Sequence, residues 1–221
     1  MKSLDKDPEI VFCDNHLLVI DKPAGILTQP DASDSDSLEM YGKRWLKREY
    51  HKEGNVFLHA IHRLDKPVSG LVLFARTSKA LSRLNEQSRA IEIQRSYIAE
   101  VEGILPEKRG RLDHYLIHGD HRAIVAEPHE EGAKHARLEY QVTHFSKATT
   151  FVEIALETGR YHQIRAQFSG IDHPIVGDVR YGGKGGDGSS IHLHCARLSF
   201  LHPITKELLR FESSAPFGRV A

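Results

Sequence analysis

The sequence predicts an α+β fold built on a largely antiparallel sheet. Short apolar runs, which are typical of strands, outnumber the stretches with helical spacing, and most of them are joined by turns rather than long crossovers. The chain has 221 residues, of which 40% are hydrophobic, so it can bury a sizeable core. We therefore expect a single domain, or two tightly fused halves, over residues 1–221, with helices flanking the sheet.

The first predicted elements are a hairpin and a helix. Residues 10–12 and 17–20 are apolar runs separated by an Asp-Asn turn. A polar, acidic loop follows at residues 30–37. Asp36, with Glu39 three residues later, has the pattern of a capping box. The helix that it would begin places four apolar side chains on one face: Leu38, Tyr41, Trp45 and Leu46.

The middle of the chain predicts a buried strand, a second helix and a half-buried strand. Residues 71–75 are all apolar, which is typical of a buried strand. Thr77 or Ser78 then caps a helix, whose predicted inner face is Ala80, Leu81, Leu84, Ser88 and Ile91. Residues 94–103 alternate as a half-buried strand does, with Tyr97 on its apolar side.

The C-terminal half is predicted to be mostly strands, with one helix. The clearest strands are residues 138–142, 151–156, 192–200 and 208–211, and a helix is expected at 161–170. A glycine-rich stretch, residues 182–188, lacks the Ser or Thr that follows the lysine of a phosphate-binding loop. We interpret it as a linker.

Composition and charge restrict the function. Lysine plus arginine and aspartate plus glutamate both number 30, so the formal net charge is zero, which argues against broad, non-specific binding of polyanions. Cys13 and Cys195 are too few for a disulfide framework. The sequence shows no signal peptide and no membrane span. We therefore expect a cytoplasmic protein with no membrane partner. We also expect a monomer, because no long apolar surface pattern indicates a dimer.

The most informative stretch is residues 62–70, His-Arg-Leu-Asp-Lys-Pro-Val-Ser-Gly. Asp65 stands between the cations Arg63 and Lys66, and Pro67 and Gly70 favour a turn before the buried strand. A carboxylate in such a loop is either a salt-bridged structural residue or a nucleophile that its neighbours keep ionised. The residue types alone leave both interpretations open.

Four motifs occur in order along the chain, at residues 21–25, 62–70, 95–103 and 159–178. They include Asp-Lys-Pro-Ala-Gly, His-Arg-Leu-Asp and Gly-Arg-Tyr-His-Gln-Ile-Arg. In this order they resemble the motifs of the RluA family of RNA pseudouridine synthases over nearly the whole chain. The resemblance implies a long, mostly antiparallel mixed sheet with flanking helices and a central RNA-binding cleft. It also implies that the N-terminal S4 domain of some relatives is absent.

The resemblance also implies roles for site residues. Asp65 matches the catalytic nucleophile, Tyr97 the tyrosine that stacks on the target base, and Arg165 the arginine that orients the aspartate. Whether Asp65 acts on the sugar or on the ring stays open. The reaction rearranges one nucleotide without oxidation, so no cofactor and no metal are expected. The implied substrate is structured RNA, either ribosomal or transfer RNA.

Other charged residues are candidates for RNA contacts. Arg63 matches the family arginine that helps to displace the flipped base, a task that suits a planar cation. Phosphate contacts are predicted for Lys22 and Arg160, with weaker candidates at Arg180 and Lys184. The chain also departs from the family pattern at three positions: Val68, Tyr161 and Asp172 stand where threonine, threonine and glycine are usual.

Three alternative functions compete with this interpretation. A catalytically inactive RNA-binding module of the same fold would bind RNA without changing it. A metal hydrolase would need His162, His192 and His194 as ligands, although a His-x-His pair in a chain with 15 histidines is a weak signal. A glycosidase would need a second acid beside Asp65, and no motif supplies one.

Overall fold

A computed structural model describes residues 8–31 and 36–218. Within these ranges the chain forms eleven strands, three α-helices and one 3₁₀ turn. They fall into two compact units, which consist of Met1–Gln94 with Cys195–Ser214, and Arg95–His194 with Ala215–Ala221. The predicted α+β class is confirmed.

In chain order, the elements are β1 (Glu9–Cys13), β2 (Leu17–Lys22), α1 (Leu38–Glu49), β3 (His59–Ala60), β4 (Ser69–Ala75), α2 (Ser78–Arg89), β5 (Gln94–Glu102), β6 (Arg109–His118), β7 (Ala123–Ala126), β8 (Lys134–Phe145), β9 (Thr149–Leu156), α3 (Gln163–Ser169), the 3₁₀ turn (Val179–Tyr181), β10 (Leu193–Leu201) and β11 (Leu208–Glu212).

The first unit is organised around β2 and β4, whose apolar side chains are its core. Its strand order is β1–β2–β4–β10, with β3 beside β4 and β11 beside β10. All seven residues of β4 are buried, and α2 packs against this strand while α1 packs against β2. Gly70 has φ +116°, and a Cβ at this position would collide with the backbone of Cys195. Only glycine therefore lets β4 and β10 approach so closely.

The second unit is an antiparallel sheet covered by one short helix. Its strand order is β5–β9–β8–β6–β7, and α3 packs against β6 and β7. The hydrophobic cluster between α3 and the sheet consists of aliphatic side chains and one tyrosine: Leu116, Ala123, Ala136, Ala166 and Tyr181. Since α3 lies on this cluster, its inward-facing residues are fixed by the sheet.

Several predicted boundaries need correction. Ser37, not Asp36, is the N-cap of α1, and its side chain accepts a hydrogen bond from the amide of Met40. The inner face of α2 uses Gln87 rather than Ser88. Ile91 lies beyond the helix with φ 59° and is 54% exposed. Part of the predicted acidic loop, residues 32–35, lies outside the described residues.

The predicted hairpin at the start of the chain is confirmed, because β1 and β2 pair antiparallel across the turn at Asp14. Thr77, one of the two predicted caps, is the N-cap of α2. No helix within residues 8–31 and 36–218 has both the length and the apolar composition that a membrane span requires.

Candidate active site

Asp65 lies in the loop that leads from β3 into β4. The carbonyl of Asp65 accepts a hydrogen bond from the amide of Val68 at 3.0 Å, which closes a tight turn directly after the carboxylate. Asp65 itself is half-buried, whereas its neighbours Arg63 and Lys66 are exposed. The two cations are therefore open to solvent, while Asp65 is partly shielded from it.

Two buried side chains hold the N-terminal part of this loop. The hydroxyl of Thr28 accepts a hydrogen bond from the amide of Leu64 at 3.0 Å and donates one to the carbonyl of Leu64 at 2.8 Å. The imidazole Nε2 of His62 accepts a hydrogen bond from the amide of Leu73 at 3.3 Å. Because both anchors are buried, the backbone on the N-terminal side of Asp65 has little freedom to move.

A buried lysine holds the other side of the loop. The ammonium of Lys22 donates to the carbonyls of Pro23, Ile26 and Lys66, at 3.0, 2.8 and 3.2 Å. The carbonyl of Lys66 also accepts from the amide of Gly25 at 2.8 Å. Through Lys22, the first motif of the chain is thus fastened to the residue that follows Asp65.

The predicted phosphate contact by Lys22 is wrong for this structure. The residue is only 1% exposed, and its three donors already meet three carbonyls. Burial lowers the pKa of the Lys22 ammonium to about 7, while the nearby negative charge of Asp65 opposes that shift. Lys22 is therefore a structural cation beside Asp65 rather than a surface contact for RNA.

Tyr97 and Arg165 are both buried in the second unit. Tyr97 is in β5, opposite Ile154 of β9, on the apolar side predicted from the alternating pattern, and is 4% exposed. Arg165 is in α3 and is 3% exposed. The first unit contains Asp65, Arg63 and Lys22, whereas the second contains Tyr97, Arg165 and Arg160.

The guanidinium of Arg165 is held by a buried carboxylate. Its Nε donates to Asp178 Oδ2 at 2.6 Å and its Nη2 to Asp178 Oδ1 at 2.8 Å, a bidentate pair. The guanidinium also lies over the ring of Tyr181, with 4.9 Å between its carbon and the ring centroid. These contacts hold the Arg165 guanidinium within the second unit.

The turn that precedes α3 fixes where the helix begins, and therefore where Arg165 lies on it. The side-chain oxygen of Gln163 accepts hydrogen bonds from the amide of Arg160 at 2.9 Å and the hydroxyl of Thr158 at 2.8 Å. His162 has φ 51°, a left-handed conformation that ends the preceding chain and starts the helix at Gln163. The predicted helix start at residue 161 is therefore two residues too early. Arg160 is exposed, as a phosphate contact would require.

Sequence reasoning missed the supporting residues Thr28, Asp178 and Tyr181. Asp178 belongs to the fourth motif, but its distance of 13 residues from Arg165 has no periodicity that would indicate a pair. His162 and His192, which the alternative metal hydrolase would need as ligands, bond to the hydroxyl of Tyr181 and the carboxylate of Glu100. In the described part of the chain, no three His, Cys, Asp or Glu side chains form a cluster able to hold a metal.

Comparison with known proteins identifies the relatives of this chain. A family described as RNA pseudouridylate synthase matches residues 16–170. The "Uncharacterized RNA pseudouridine synthase YhcT" of Bacillus subtilis is 33% identical over 215 residues, which cover 94% of this chain and 68% of that protein. The "Ribosomal large subunit pseudouridine synthase D" of Xanthomonas campestris is also 33% identical, over 94% of this chain and 66% of its own length.

Another relative has nearly the same length. The "Dual-specificity RNA pseudouridine synthase RluA" of Pasteurella multocida is 34% identical over 95% of this chain and 94% of its own. Among solved structures, human RNA Pseudouridylate Synthase Domain Containing 4 aligns with a TM-score of 0.78 at 22% identity, covering 94% of this chain and 88% of that one. Human RNA Pseudouridylate Synthase Domain Containing 1 gives 0.77 at 20% identity, covering 98% and 87%. These two similarities concern the fold.

Proposed function

Since the chain belongs to the RluA family of RNA pseudouridine synthases, we propose that it converts selected uridines of structured RNA to pseudouridine. Two of the relatives are named for the large ribosomal subunit and for a dual specificity. Ribosomal RNA is therefore the first substrate to test, and transfer RNA is the second. The protein is proposed to act as a monomer in the cytoplasm, where both kinds of RNA are available.

The observation that carries the proposal is the construction of the Asp65 loop. Its backbone is anchored through Thr28, His62 and Lys22, yet none of these anchors is needed to fold an ordinary surface turn. Fixing a catalytic group in advance is what a reaction with demanding geometry requires. The rigid loop therefore supports Asp65 as the nucleophile rather than as a solvated charge.

The reaction that Asp65 would serve is an isomerisation. The N1–C1′ bond of the uridine breaks, the base turns, and a new bond forms between C5 and C1′. The proton on C5 leaves and N1, freed from C1′, gains a proton, so the product has the composition of the substrate and no cofactor is consumed. A carboxylate suits this task because it can bond to carbon and leave again.

Tyr97 and Arg165 are proposed to complete the catalytic set. The flat face of Tyr97 would stack on the uracil ring. Arg165 would keep Asp65 ionised and oriented, a role supported by the way that Asp178 and Tyr181 fix its guanidinium. The family match at residues 16–170 runs through both compact units, which supports the proposal that they serve as one catalytic domain.

Arg63 and Arg160 are proposed to contact the RNA. Both are exposed, and a guanidinium can pair with phosphate or stack on a base. Arg63 precedes Asp65 by two residues, so it is well placed to replace the flipped uridine in its stack.

The test uses total RNA labelled with tritium at uracil C5. Because forming the C5–C1′ bond releases this tritium to water, the wild-type protein is expected to release it. Asp65→Asn should lower the rate by roughly 10³-fold or more, since an amide cannot act as the nucleophile. Asp187→Asn, a change of the same kind at an exposed carboxylate of the glycine-rich loop, should leave the rate unchanged.

Two outcomes would contradict this proposal. Tight RNA binding with no tritium release from any RNA pool would indicate an inactive binding module. Equal release by wild type and Asp65→Asn would leave the reaction in place but remove Asp65 from its centre.

A further inference from the structure

A stack of three rings lies at one end of the second unit. The ring of His118, at the end of β6, is 4.1 Å from the ring of Tyr161, and Tyr161 is 3.8 Å from His162, measured between centroids. His162 is buried, Tyr161 is half-buried and His118 is exposed. Among the described residues, neither the His118 imidazole nor the Tyr161 hydroxyl has a hydrogen-bond partner. We call these three residues the ring stack.

The inner end of the ring stack is fixed. His162 is in the left-handed region at φ 51°, which is uncommon for a residue other than glycine. Its Nδ1 is 3.0 Å from the hydroxyl of Tyr181, and that hydroxyl accepts a hydrogen bond from the amide of Ala123 at 2.7 Å. Uncommon backbone conformations that persist in this way cluster at functional sites.

The same contacts connect the ring stack to Arg165. The guanidinium of Arg165 lies over the ring of Tyr181, whose hydroxyl bonds His162, which in turn stacks on Tyr161. Each step is a direct contact between neighbouring side chains. The exposed ring of His118 is therefore the outermost member of a rigid assembly that begins at a proposed catalytic residue.

Exposed arginines are close in the chain to two members of the ring stack. Arg122 is exposed in the tight turn between β6 and β7, where its carbonyl accepts from the amide of Gly119 at 3.0 Å. Arg160 precedes Tyr161, and its Nε donates to the carbonyl of His135 at 2.8 Å, so its two terminal amino groups have no partner among the described residues. The acid within the same turn is Asp120.

Arg180 adds a third cation and fixes the turn. Its Nη1 donates to the carbonyl of His121 at 2.8 Å, which ties the 3₁₀ turn to the loop that carries Arg122. Exposed aromatic rings together with exposed arginines are the combination that proteins use to bind single-stranded nucleic acid. A ring stack that served only to fill space would need neither the exposed ring nor the cations.

We propose that the ring stack is an RNA subsite, in which an unpaired base near the target uridine stacks on His118 while Arg122 and Arg160 contact its phosphates. The proposal rests on the proposed function and deepens it. Since every base has an apolar face, the subsite selects an unpaired nucleotide rather than a particular base. Its contribution is to RNA binding and site choice, not to the chemical step.

The test compares His118→Ala with wild type in the tritium-release assay, with ribosomal RNA labelled at uracil C5 as the probe. Losing one base–ring stack should raise KM roughly 5- to 100-fold while kcat stays within about twofold. His118→Phe keeps a flat ring and should retain a KM close to that of wild type. His144→Ala is the matched control, because it removes a histidine that stacks on Phe151 at 3.9 Å elsewhere in the same unit.

Two results would overturn the subsite. One is an unchanged KM for His118→Ala, and the other is a KM for His118→Phe as high as that for His118→Ala. Tyr161→Ala should reproduce the His118→Ala effect. If that variant does not fold, as judged by its circular dichroism, His118 still provides the test because its side chain is exposed.

A second readout separates this proposal from the proposed function. Fluorescence anisotropy of a labelled ten-nucleotide oligouridylate measures binding without any reaction. If wild type releases no tritium but His118→Ala weakens this binding about 5-fold or more, the subsite stands and the proposed function fails. If wild type releases tritium while neither KM nor oligonucleotide binding responds to His118→Ala, the subsite fails alone.

Discussion

The Asp65 loop and the Arg165 helix are both built around a buried cation, but the two cations are compensated differently. Lys22, below the loop, meets three neutral carbonyls. Arg165, in α3, meets the full charge of Asp178 through two short hydrogen bonds. Carbonyl dipoles offset only part of the cost of burying a charge, whereas a paired carboxylate offsets much more of it.

The choice of residue matches this difference. Lysine can lose its proton when it is buried, and the pKa of Lys22 accordingly falls to about 7. Arginine cannot be deprotonated in a protein, so a buried guanidinium requires a counter-charge. The first unit therefore contains a cation that can switch off near neutral pH, and the second contains one that is permanently charged.

The largest expected effect comes from removing the counter-charge of Arg165. Asp178→Ala leaves a permanently charged guanidinium buried without its carboxylate, so the free energy of unfolding should fall by about 3–5 kcal/mol. Urea denaturation monitored by circular dichroism measures this change. Asp113→Ala, which removes an exposed carboxylate paired with Arg137 in the same unit, should change stability little. Equal losses for the two variants would show that the buried pair is no more important than a surface pair.

A smaller effect is expected from Lys22, and it depends on pH. In the unfolded chain the lysine has a pKa of 10.5, whereas the folded value is about 7, so between these values the unfolded state binds more protons. The contribution of Lys22 to the free energy of unfolding must therefore rise as the pH increases above 7. The same contribution is lost again as the pH falls through 7. From pH 7 to pH 9 the gain should be about 2 kcal/mol.

The measurement isolates Lys22 by difference. Urea denaturation of wild type and Lys22→Met is compared at pH 7 and pH 9, so that the other titrating groups cancel. The destabilisation caused by Lys22→Met should be larger at pH 9, because the folded wild-type amine is then almost entirely neutral, whereas at pH 7 about half of it is still charged. A difference that is the same at both values would mean that Lys22 stays charged.

The two regions also differ in how far the sequence could predict them. Asp65, Arg63 and Lys66 are neighbours in the chain, so their loop could be identified directly from the sequence. The partner of Arg165 is 13 residues away and on another element. No local pattern indicates that pairing, because it depends on how the chain packs after α3.

In the fold, too, local features could be predicted from the sequence and contacts between distant residues could not. The hairpin of β1 and β2 and the buried strand β4 were predictable, since hydrophobic periodicity and turn residues are local signals. The burial of Lys22, for which a phosphate contact was predicted, has no local signal, and lysine is rarely buried. Lys22 can be buried because its ammonium donates hydrogen bonds to the carbonyls of Ile26 and Lys66. These two residues are distant from each other in the sequence.

The smallest expected effect tests the neutral anchors of the Asp65 loop. Thr28→Val keeps the shape of the side chain but removes the hydroxyl that accepts from the amide of Leu64 and donates to its carbonyl. Stability should fall by about 1–2 kcal/mol, since two neutral hydrogen bonds are lost. Thr28→Ser keeps the hydroxyl and should be clearly less destabilised in the same urea titration. Because the loop also positions Asp65, Thr28→Val should release tritium from RNA more slowly than Thr28→Ser. If the two variants are alike in stability and in rate, the hydroxyl of Thr28 does not anchor the loop.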